Sequence, residues 1–307
     1  MDTTDEIETI DISNPKCWNN ITKRYKNKIL VIFKIMRPLF QSYMTFANLG
    51  INSYKLFKGV IMYENEILEI SKILDITFNE CLLFQLTYEM FSACTSCILK
   101  CDDNYVHVRT MDWELKELKD ITIKIRVFRK EIHLFDCITW AGFVGVFTGI
   151  KPNKYTIALN YRRSLNSNIK NNLLYFFKGA YPNAFFMRHL LESNESPSKI
   201  MDVLLVAPAY YTVLYTPELK QSGVIIRDRD GYKLKSIPCI QTNCDEIYKG
   251  DNIMHSFERI KHMETIIEFN PTIDDLIQHI SEYPVTNEHT IYTTIMSPEK
   301  GFFYYKL

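Results

Sequence analysis

A cysteine at the head of one predicted strand, with an arginine and an aspartate at the end of the next, is the pattern in this chain that suits chemistry best. Cys94 opens the run Cys94-Thr95-Ser96-Cys97-Ile98-Leu99-Lys100-Cys101, directly after a helix-like segment that ends near Phe91-Ser92-Ala93. Arg109-Thr110-Met111-Asp112-Trp113 follows. Cysteine attacks as the thiolate, which a neighbouring cation favours; Arg109 is the candidate cation. If the Ala93–Cys94 bond is cut, the new α-amino group sits on the nucleophile itself and serves as its base. Asp112 is then placed to hold and orient that amine. A carbonyl attacked by sulfur becomes an oxyanion and needs donors. Asn243, in Gln241-Thr242-Asn243-Cys244-Asp245, is a candidate donor.

Strand geometry constrains this reading. Arg109 and Asp112 are three residues apart and face opposite sides of a regular strand. Both reach Cys94 only if a bulge or bend lies between them. The same residues also have plainer accounts. A strand cysteine is often a small buried apolar residue, and Arg-x-x-Asp is often a structural ion pair. A third reading takes Cys94, Cys97, Cys101 and His107 as zinc ligands, but zinc needs its ligands convergent in a tetrahedron. Cys94 and Cys97 on one strand point apart, and no second C-x-x-C follows. No metal and no cofactor is expected, and Cys17, Cys81 and Cys137 are assigned to the core.

The rest of the chain must position these groups. Its 307 residues are 47% hydrophobic, with 19 Phe and 19 Tyr, enough to bury a large core. Lys plus Arg equals Asp plus Glu at 36 each, so no charge field steers nucleic acid to it, and a weakly charged substrate is the easier partner. Eight cysteines spread thinly over the chain do not form a disulfide framework. The acidic start, Met1-Asp2-Thr3-Thr4-Asp5-Glu6, lacks the features of a signal peptide.

Up to residue 93 the patterning is helical. Ile29, Ile32, Phe33, Met36, Phe40 and Tyr43 recur at helical spacing, with Pro38 expected to kink or break that helix. Lys34, Arg37 and Pro38 interrupt it too soon for a membrane span; it reads as a buried helix or one lying on a membrane surface. A second helix covers Glu66–Leu74. Thr77 and Glu80 form a capping box that starts a third, running to about Phe91 with Leu82, Leu83, Leu86 and Met90 on its apolar face. From Cys94 strands dominate: 95–101 and 105–111 about a turn at Asp102-Asp103-Asn104, then 121–127, 131–135, 138–147 and 154–160. Helices at 173–177, 185–192 and 197–204 precede strands at 210–215, 222–227 and 232–241. Helices at 256–268 and 273–281 precede strands at 289–296 and 301–305. The expected organisation is a helical block, 1–93, and a domain of two sheets flanked by helices, 94–307.

Several segments, in order, resemble one family. Asp75-Ile76-Thr77 through Tyr88-Glu89-Met90-Phe91, Cys94-Thr95-Ser96, Arg109-Thr110-Met111-Asp112, Ala141-Gly142-Phe143-Val144-Gly145 with Thr148-Gly149, Gln241-Thr242-Asn243 and Thr290-Ile291-Tyr292-Thr293-Thr294 are similar to the acid ceramidases and N-acylethanolamine-hydrolysing acid amidases. Ala207-Pro208-Ala209-Tyr210 and Arg227-Asp228-Arg229 resemble the ceramidase branch. These are N-terminal-nucleophile (Ntn) hydrolases related to choloylglycine hydrolase, and the resemblance spans about Trp18 to Leu307. It implies an α+β fold, the αββα four-layer Ntn sandwich, and a proenzyme that cuts itself before Cys94. It implies Cys94 as nucleophile, Arg109 and Asp112 beside it, Asn243 for the oxyanion, and, through Ser256-Phe257-Glu258-Arg259, a site arginine at Arg259. The substrate it implies is a lipid amide, ceramide or an N-acylethanolamine, with contact to a membrane surface and a lysosomal setting. Two positions depart from the family. Asn160-Tyr161-Arg162 has Tyr161 where the family carries an acid, and Leu214-Tyr215 replaces a Gly-Gly, where bulk is expected to narrow a pocket. Both departures motivate the alternative of a non-catalytic lipid-binding relative.

Overall fold

The register of the first hairpin determines where the site residues fall. In the computed structural model, which describes residues 7–41, 44–86, 93–163, 168–245 and 252–307, β2 (Ala93–Cys101) pairs antiparallel with β3 (Asn104–Asp112) without interruption, from Ala93↔Asp112 to Cys101↔Asn104. Asp102 and Asp103 make the two-residue turn at φ 46° and 66°, a left-handed conformation that aspartate tolerates and that matches the twist of a hairpin. Alternation then sorts the side chains. Cys97, Leu99, Cys101, Val106 and Val108 pack with Ile260, Met263, Ile266, Leu276 and Ile280, from α7 (Ser256–Phe269) and α8 (Ile273–Ile280). Ile98 packs the other way, with Tyr210, Leu214 and Val224 of the second sheet.

The hairpin is the centre of a five-stranded antiparallel sheet in the order β11 (Cys239–Gln241), β2, β3, β12 (Thr290–Ser297), β13 (Gly301–Lys306). The other sheet has eight strands in the order β1 (Ile7–Asp11), β4 (Thr122–Arg129), β5 (Ile132–Trp140), β6 (Thr148–Lys151), β7 (Tyr155–Tyr161), β8 (Ala209–Tyr215), β9 (Gly223–Arg227), β10 (Tyr232–Ser236). β2 and β3 lie against β7 and β8, while α6 (Asn183–Glu192) covers β5, β6 and β7 from outside. With α7 and α8 on the far side, the layers run helix, sheet, sheet, helix, as expected. α5 (Ile169–Phe177) precedes α6.

Four helices come first: α1 (Asn19–Gln41), α2 (Met44–Lys58), α3 (Glu64–Leu74) and α4 (Phe78–Gln85). The capping box forms, with the Thr77 hydroxyl accepting from the Glu80 amide and the Glu80 carboxylate accepting from the Thr77 amide. α4 is shorter than its pattern predicted, ending at Gln85; Met90 and the rest of 87–92 lie outside the described residues. Nor does Pro38 end α1, which runs on to Gln41. The block is not purely helical, because β1 joins the large sheet as a parallel partner of β4. A buried ion pair between Glu66 of α3 and Arg188 of α6 also joins it to the rest. No helix among the described residues is long and apolar enough to cross a membrane.

Two strand expectations and one helix expectation change. The segments read as 131–135 and 138–147 form one strand, β5, which stops at Trp140; Gly142, at φ +79°, turns the chain back into β6. The run 232–241 is divided at Pro238, which cannot donate to a ladder: β10 ends one sheet and β11 begins the edge of the other. Pro197–Met201 is a single 3-10 turn, capped by Ser196 as expected.

Candidate active site

β11 brings Asn243 to Cys94. It pairs antiparallel with β2, Cys239 opposite Ile98 and Gln241 opposite Ser96. Two further residues along each chain set Asn243 beside Cys94, and the Cys94 N–H donates to Asn243 Oδ1 at 2.6 Å. In the uncut chain this nitrogen is a peptide amide; it stands where the α-amino group of a cleaved chain would be. Asn243 Nδ2 donates to the Tyr161 carbonyl at 2.8 Å. At the family's acidic position it is therefore a backbone oxygen that holds Asn243, which any residue type supplies.

α7 contributes the next link. Arg259 is fully buried and spreads over both elements, its Nη1 donating to Asp112 Oδ2 at 2.9 Å and Thr95 Oγ1 at 2.8 Å. Its Nη2 donates to Asn243 Oδ1 at 3.3 Å, the Ser256 hydroxyl at 3.1 Å and the Ile253 carbonyl at 3.2 Å. Thr290 Oγ1 donates to the other Asp112 oxygen at 2.7 Å. Burial raises the Asp112 carboxyl above its ordinary value, against the opposing pull of Arg259 and Thr290. Cys94, Asn243, Arg259 and Asp112 are thus one hydrogen-bonded chain.

Arg109 belongs to the opposite face. The bulge that would let Arg109 and Asp112 converge is absent from β3, whose register with β2 is unbroken between them. The irregularity lies on β12 instead, between Thr290 and Tyr292, opposite Asp112 and Met111. Directly opposed residues share a face, so Cys94, Met111 and Tyr292 form a row on the inner side, and Ser96 and Arg109 form the next. Asp112 points outward with Thr95, to Arg259. Asn160 joins the inner row: its Oδ1 accepts from Ser96 Oγ and from Arg109 Nη1, both at 2.7 Å, and its Nδ2 donates to the Gln241 carbonyl at 3.0 Å. Arg109 Nη2 donates to the Leu159 carbonyl at 2.7 Å. Tyr292 exchanges a 2.7 Å hydrogen bond with Thr148, and burial raises its phenol pKa. The network thus holds Thr95, Asn160, Ser256, Thr290 and Tyr292 beyond the residues singled out from sequence. Each falls in a segment already compared with the family, Cys94-Thr95-Ser96, Asn160-Tyr161-Arg162, Ser256-Phe257-Glu258-Arg259 or Thr290-Ile291-Tyr292, but none has a role assigned there.

The zinc reading fails on geometry, since Cys94 and Cys97 fall in separate apolar clusters on opposite faces of the sheet. Among the described residues one trio, His262, His279 and Glu282, brings ligand atoms within 4.8 Å of one another. His262 is on α7, His279 on α8 and Glu282 just past the end of α8, and His262 Nε2 is 3.1 Å from the His279 carbonyl. Leu214 fills the core between the sheets.

Comparison with known proteins fits this geometry. No family model matches the chain. It is 31% identical over 305 residues to an uncharacterised protein of Acanthamoeba polyphaga mimivirus, covering 92% of each chain. It is 27% identical to a probable acid ceramidase of Caenorhabditis elegans over 96% of this chain and 82% of that one. To human acid ceramidase the identity is 28%, over 78% and 68% respectively. Among solved structures, the Caenorhabditis elegans ortholog of N-acylethanolamine-hydrolysing acid amidase matches with a TM-score of 0.57 at 27% identity, over 67% of this chain and 93% of that one. The two-sheet α+β architecture is the Ntn-hydrolase fold, and the chain belongs to the acid ceramidase and N-acylethanolamine-hydrolysing acid amidase family.

Proposed function

We propose that this protein is a self-processing Ntn amidase that hydrolyses a lipid amide, ceramide, to a fatty acid and a sphingoid base. The observation that carries the reading is the 2.6 Å bond from the Cys94 nitrogen to Asn243, itself bonded to Arg259 and through it to Asp112. In processing, Cys94 sulfur attacks the Ala93 carbonyl and the peptide nitrogen leaves as the α-amino group. Water then resolves the thioester, giving the two parts 1–93 and 94–307. In turnover the amine takes the thiol proton, sulfur adds to the lipid amide carbonyl, and the sphingoid amine leaves with a proton from the α-ammonium. Water hydrolyses the acyl-thioester. Asn243 Oδ1 holds the amine, and its side-chain amide is the donor assigned to the oxyanion. Arg109 favours the thiolate from the inner face, and Arg259 holds Asp112 and Asn243.

The solved neighbour favours a second substrate, the N-acylethanolamines. A non-catalytic lipid binder is the reading from another class, and the complete burial of Cys94 in the uncut chain is the observation that favours it. Intact-mass spectrometry of the wild type and Cys94→Ala, at neutral and acidic pH, tests all three. Fragments meeting at Ala93–Cys94 are expected in the wild type alone. Amide hydrolysis should fall at least about a thousandfold in Cys94→Ala, and a panel of ceramides and ethanolamides then assigns the head group. Full activity in Cys94→Ala would sink the mechanism, and an uncut wild type that binds lipid without product would favour the binder.

Membrane contact is proposed for α1. Val31, Ile35 and Leu39, four residues apart, are 48%, 44% and 45% exposed and form one apolar stripe. Replacing all three with Ser is expected to weaken liposome co-sedimentation about tenfold; unchanged binding would remove α1 from the contact.

A further inference from the structure

We infer that Arg162 is a positioning residue that fixes Asn243 against the Cys94 nitrogen by clamping the segment after β11 to the end of β7; this rests on the amidase reading above. The ladder that guides Asn243 stops at Gln241↔Ser96. Past that point the segment needs another hold, and Arg162 supplies it. Its Nε and Nη2 donate to the two oxygens of Asp245, both at 2.8 Å, a bidentate fork of the kind only arginine makes. Its Nη1 donates to Asp228 Oδ2 at 3.0 Å and the Arg227 carbonyl at 3.2 Å. The Tyr210 hydroxyl donates to Asp245 Oδ1 at 2.8 Å. One guanidinium therefore joins the ends of β7 and β9 to the segment after β11.

The geometry closes on the site from both sides. Asn243 lies two residues before Asp245, and Tyr161, whose carbonyl accepts from Asn243 Nδ2, immediately precedes Arg162. The 161–162 and 243–245 segments are thus tied twice, once through Asn243 itself and once through the fork. The Arg162 side chain is 13% exposed and Asp245 49%, so the pair is half in water and holds geometry more than it stabilises the fold. Misplacing a catalytic group by about 1 Å costs about a hundredfold in rate, and Asn243 is what the fork protects from that.

Two readouts test the clamp. In the uncut Cys94→Ala chain, hydrogen exchange is followed by mass spectrometry. Arg162→Ala, and separately Asp245→Ala, should raise exchange at the amide of position 94 and across 239–245 about tenfold, with α8 and β13 unchanged. In chains that keep Cys94, self-cleavage and kcat should fall about a hundredfold with KM within about twofold, and the double variant should be no slower than either single one. Arg162→Lys, which keeps the charge without the fork, should recover little. The clamp is overturned by unchanged exchange and rates, by a loss in KM alone, or by single-variant effects that multiply in the double. If Arg162→Ala loses protection everywhere, Asp245→Asn, at a half-exposed carboxylate, decides by the same readouts. A wild type that neither cuts nor hydrolyses would refute the amidase reading, while the exchange data would still decide the clamp.

Discussion

Arg188 and Arg259 are both buried, and they differ in the negative charge that surrounds them. Arg188 meets two carboxylates: Glu66 through Nη1 and Nη2, each at 2.7 Å, and Glu192 through Nε at 2.6 Å. The Tyr63 ring lies 4.0 Å from its guanidinium carbon. Burial works against its charge, but Glu66 and Glu192 outweigh it and raise the pKa well above the usual arginine range. Arg259 meets one carboxylate among the described residues, Asp112, and otherwise neutral oxygens. There burial prevails over Asp112, and the pKa shifts down, although arginine stays charged in proteins. Arg188 is a neutralised tie between the helical block and α6. Arg259 is balanced one to one by Asp112 and has no second acid among the described residues, and the Cys94 thiol lies within its field, where the proposed thiolate and oxyanion would feel it.

Removing each arginine should separate these roles. Arg259→Gln and Arg188→Gln each leave a buried carboxylate without its cation, a loss of about 3–5 kcal/mol, measurable by urea unfolding of uncut Cys94→Ala chains. Activity per folded molecule should divide them: Arg259→Gln about a thousandfold down in kcat, Arg188→Gln within about twofold of wild type. Equal losses of activity would erase the distinction, and a silent Arg259→Gln would remove the charge from the mechanism.

The same contrast shows what was legible in the sequence. The hairpin around Asp102-Asp103 was, because turn chemistry and alternation are local, and parity correctly put Arg109 and Asp112 on opposite faces unless a bulge intervened. The irregularity that does exist sits on β12, and no local pattern marks it, because it depends on which strand pairs with β3. Asn160 was read only as a neighbour of the missing acid. Its work is to join Ser96, Arg109 and Gln241, which three separate strands bring to it. β1 was missed for a like reason: Ile7-Glu8-Thr9-Ile10-Asp11 is short and polar, and pairing with β4, more than a hundred residues on, makes it a strand. Asn243 is a candidate on chemistry alone, as a donor for an oxyanion, and Arg259 only through family resemblance; composition and spacing carry no sign of the register and packing that bring either to Cys94.

Two aspartates near Asn243 titrate in opposite senses, which gives the site's charge balance a pH test. Burial raises the Asp112 carboxyl above 3.8 despite Arg259, Thr290, Arg109 and His289. In the window above 3.8 the folded chain then holds more of that proton than the unfolded one. Asp112 therefore lowers stability as pH rises through the window. Asp245 is shifted the other way: burial raises it, but Arg162 and Tyr210 together take it below 3.8. Its contribution is present above 3.8 and is lost as pH falls through the folded value. Stability of the uncut chain measured against pH should lose the first slope in Asp112→Asn and the second in Asp245→Asn, each at most about 1.4 kcal/mol per pH unit. An unchanged slope in Asp112→Asn would mean that its carboxylate is matched by cations as fully as Arg188 is by acids.

The smallest expected effect bears most directly on whether Arg188 has acid to spare. Glu192 lies one helical turn beyond Arg188 on α6, and its other oxygen accepts from the exposed Arg129 at 3.0 Å. Glu192→Gln keeps an acceptor of the same shape and removes one charge, leaving Arg188 with a single carboxylate, as Arg259 has. Because Glu66 still grips the guanidinium with both oxygens, the cost should be about 1 kcal/mol by urea unfolding, with kcat unchanged. A cost near that of losing Arg188 itself would mean that both acids are needed to hold a buried arginine here. Arg259, held by one, would then be sustained by its neutral partners, Thr95, Asn243, Ser256 and the Ile253 carbonyl, and the site's stability would rest on the same hydrogen bonds that position Cys94.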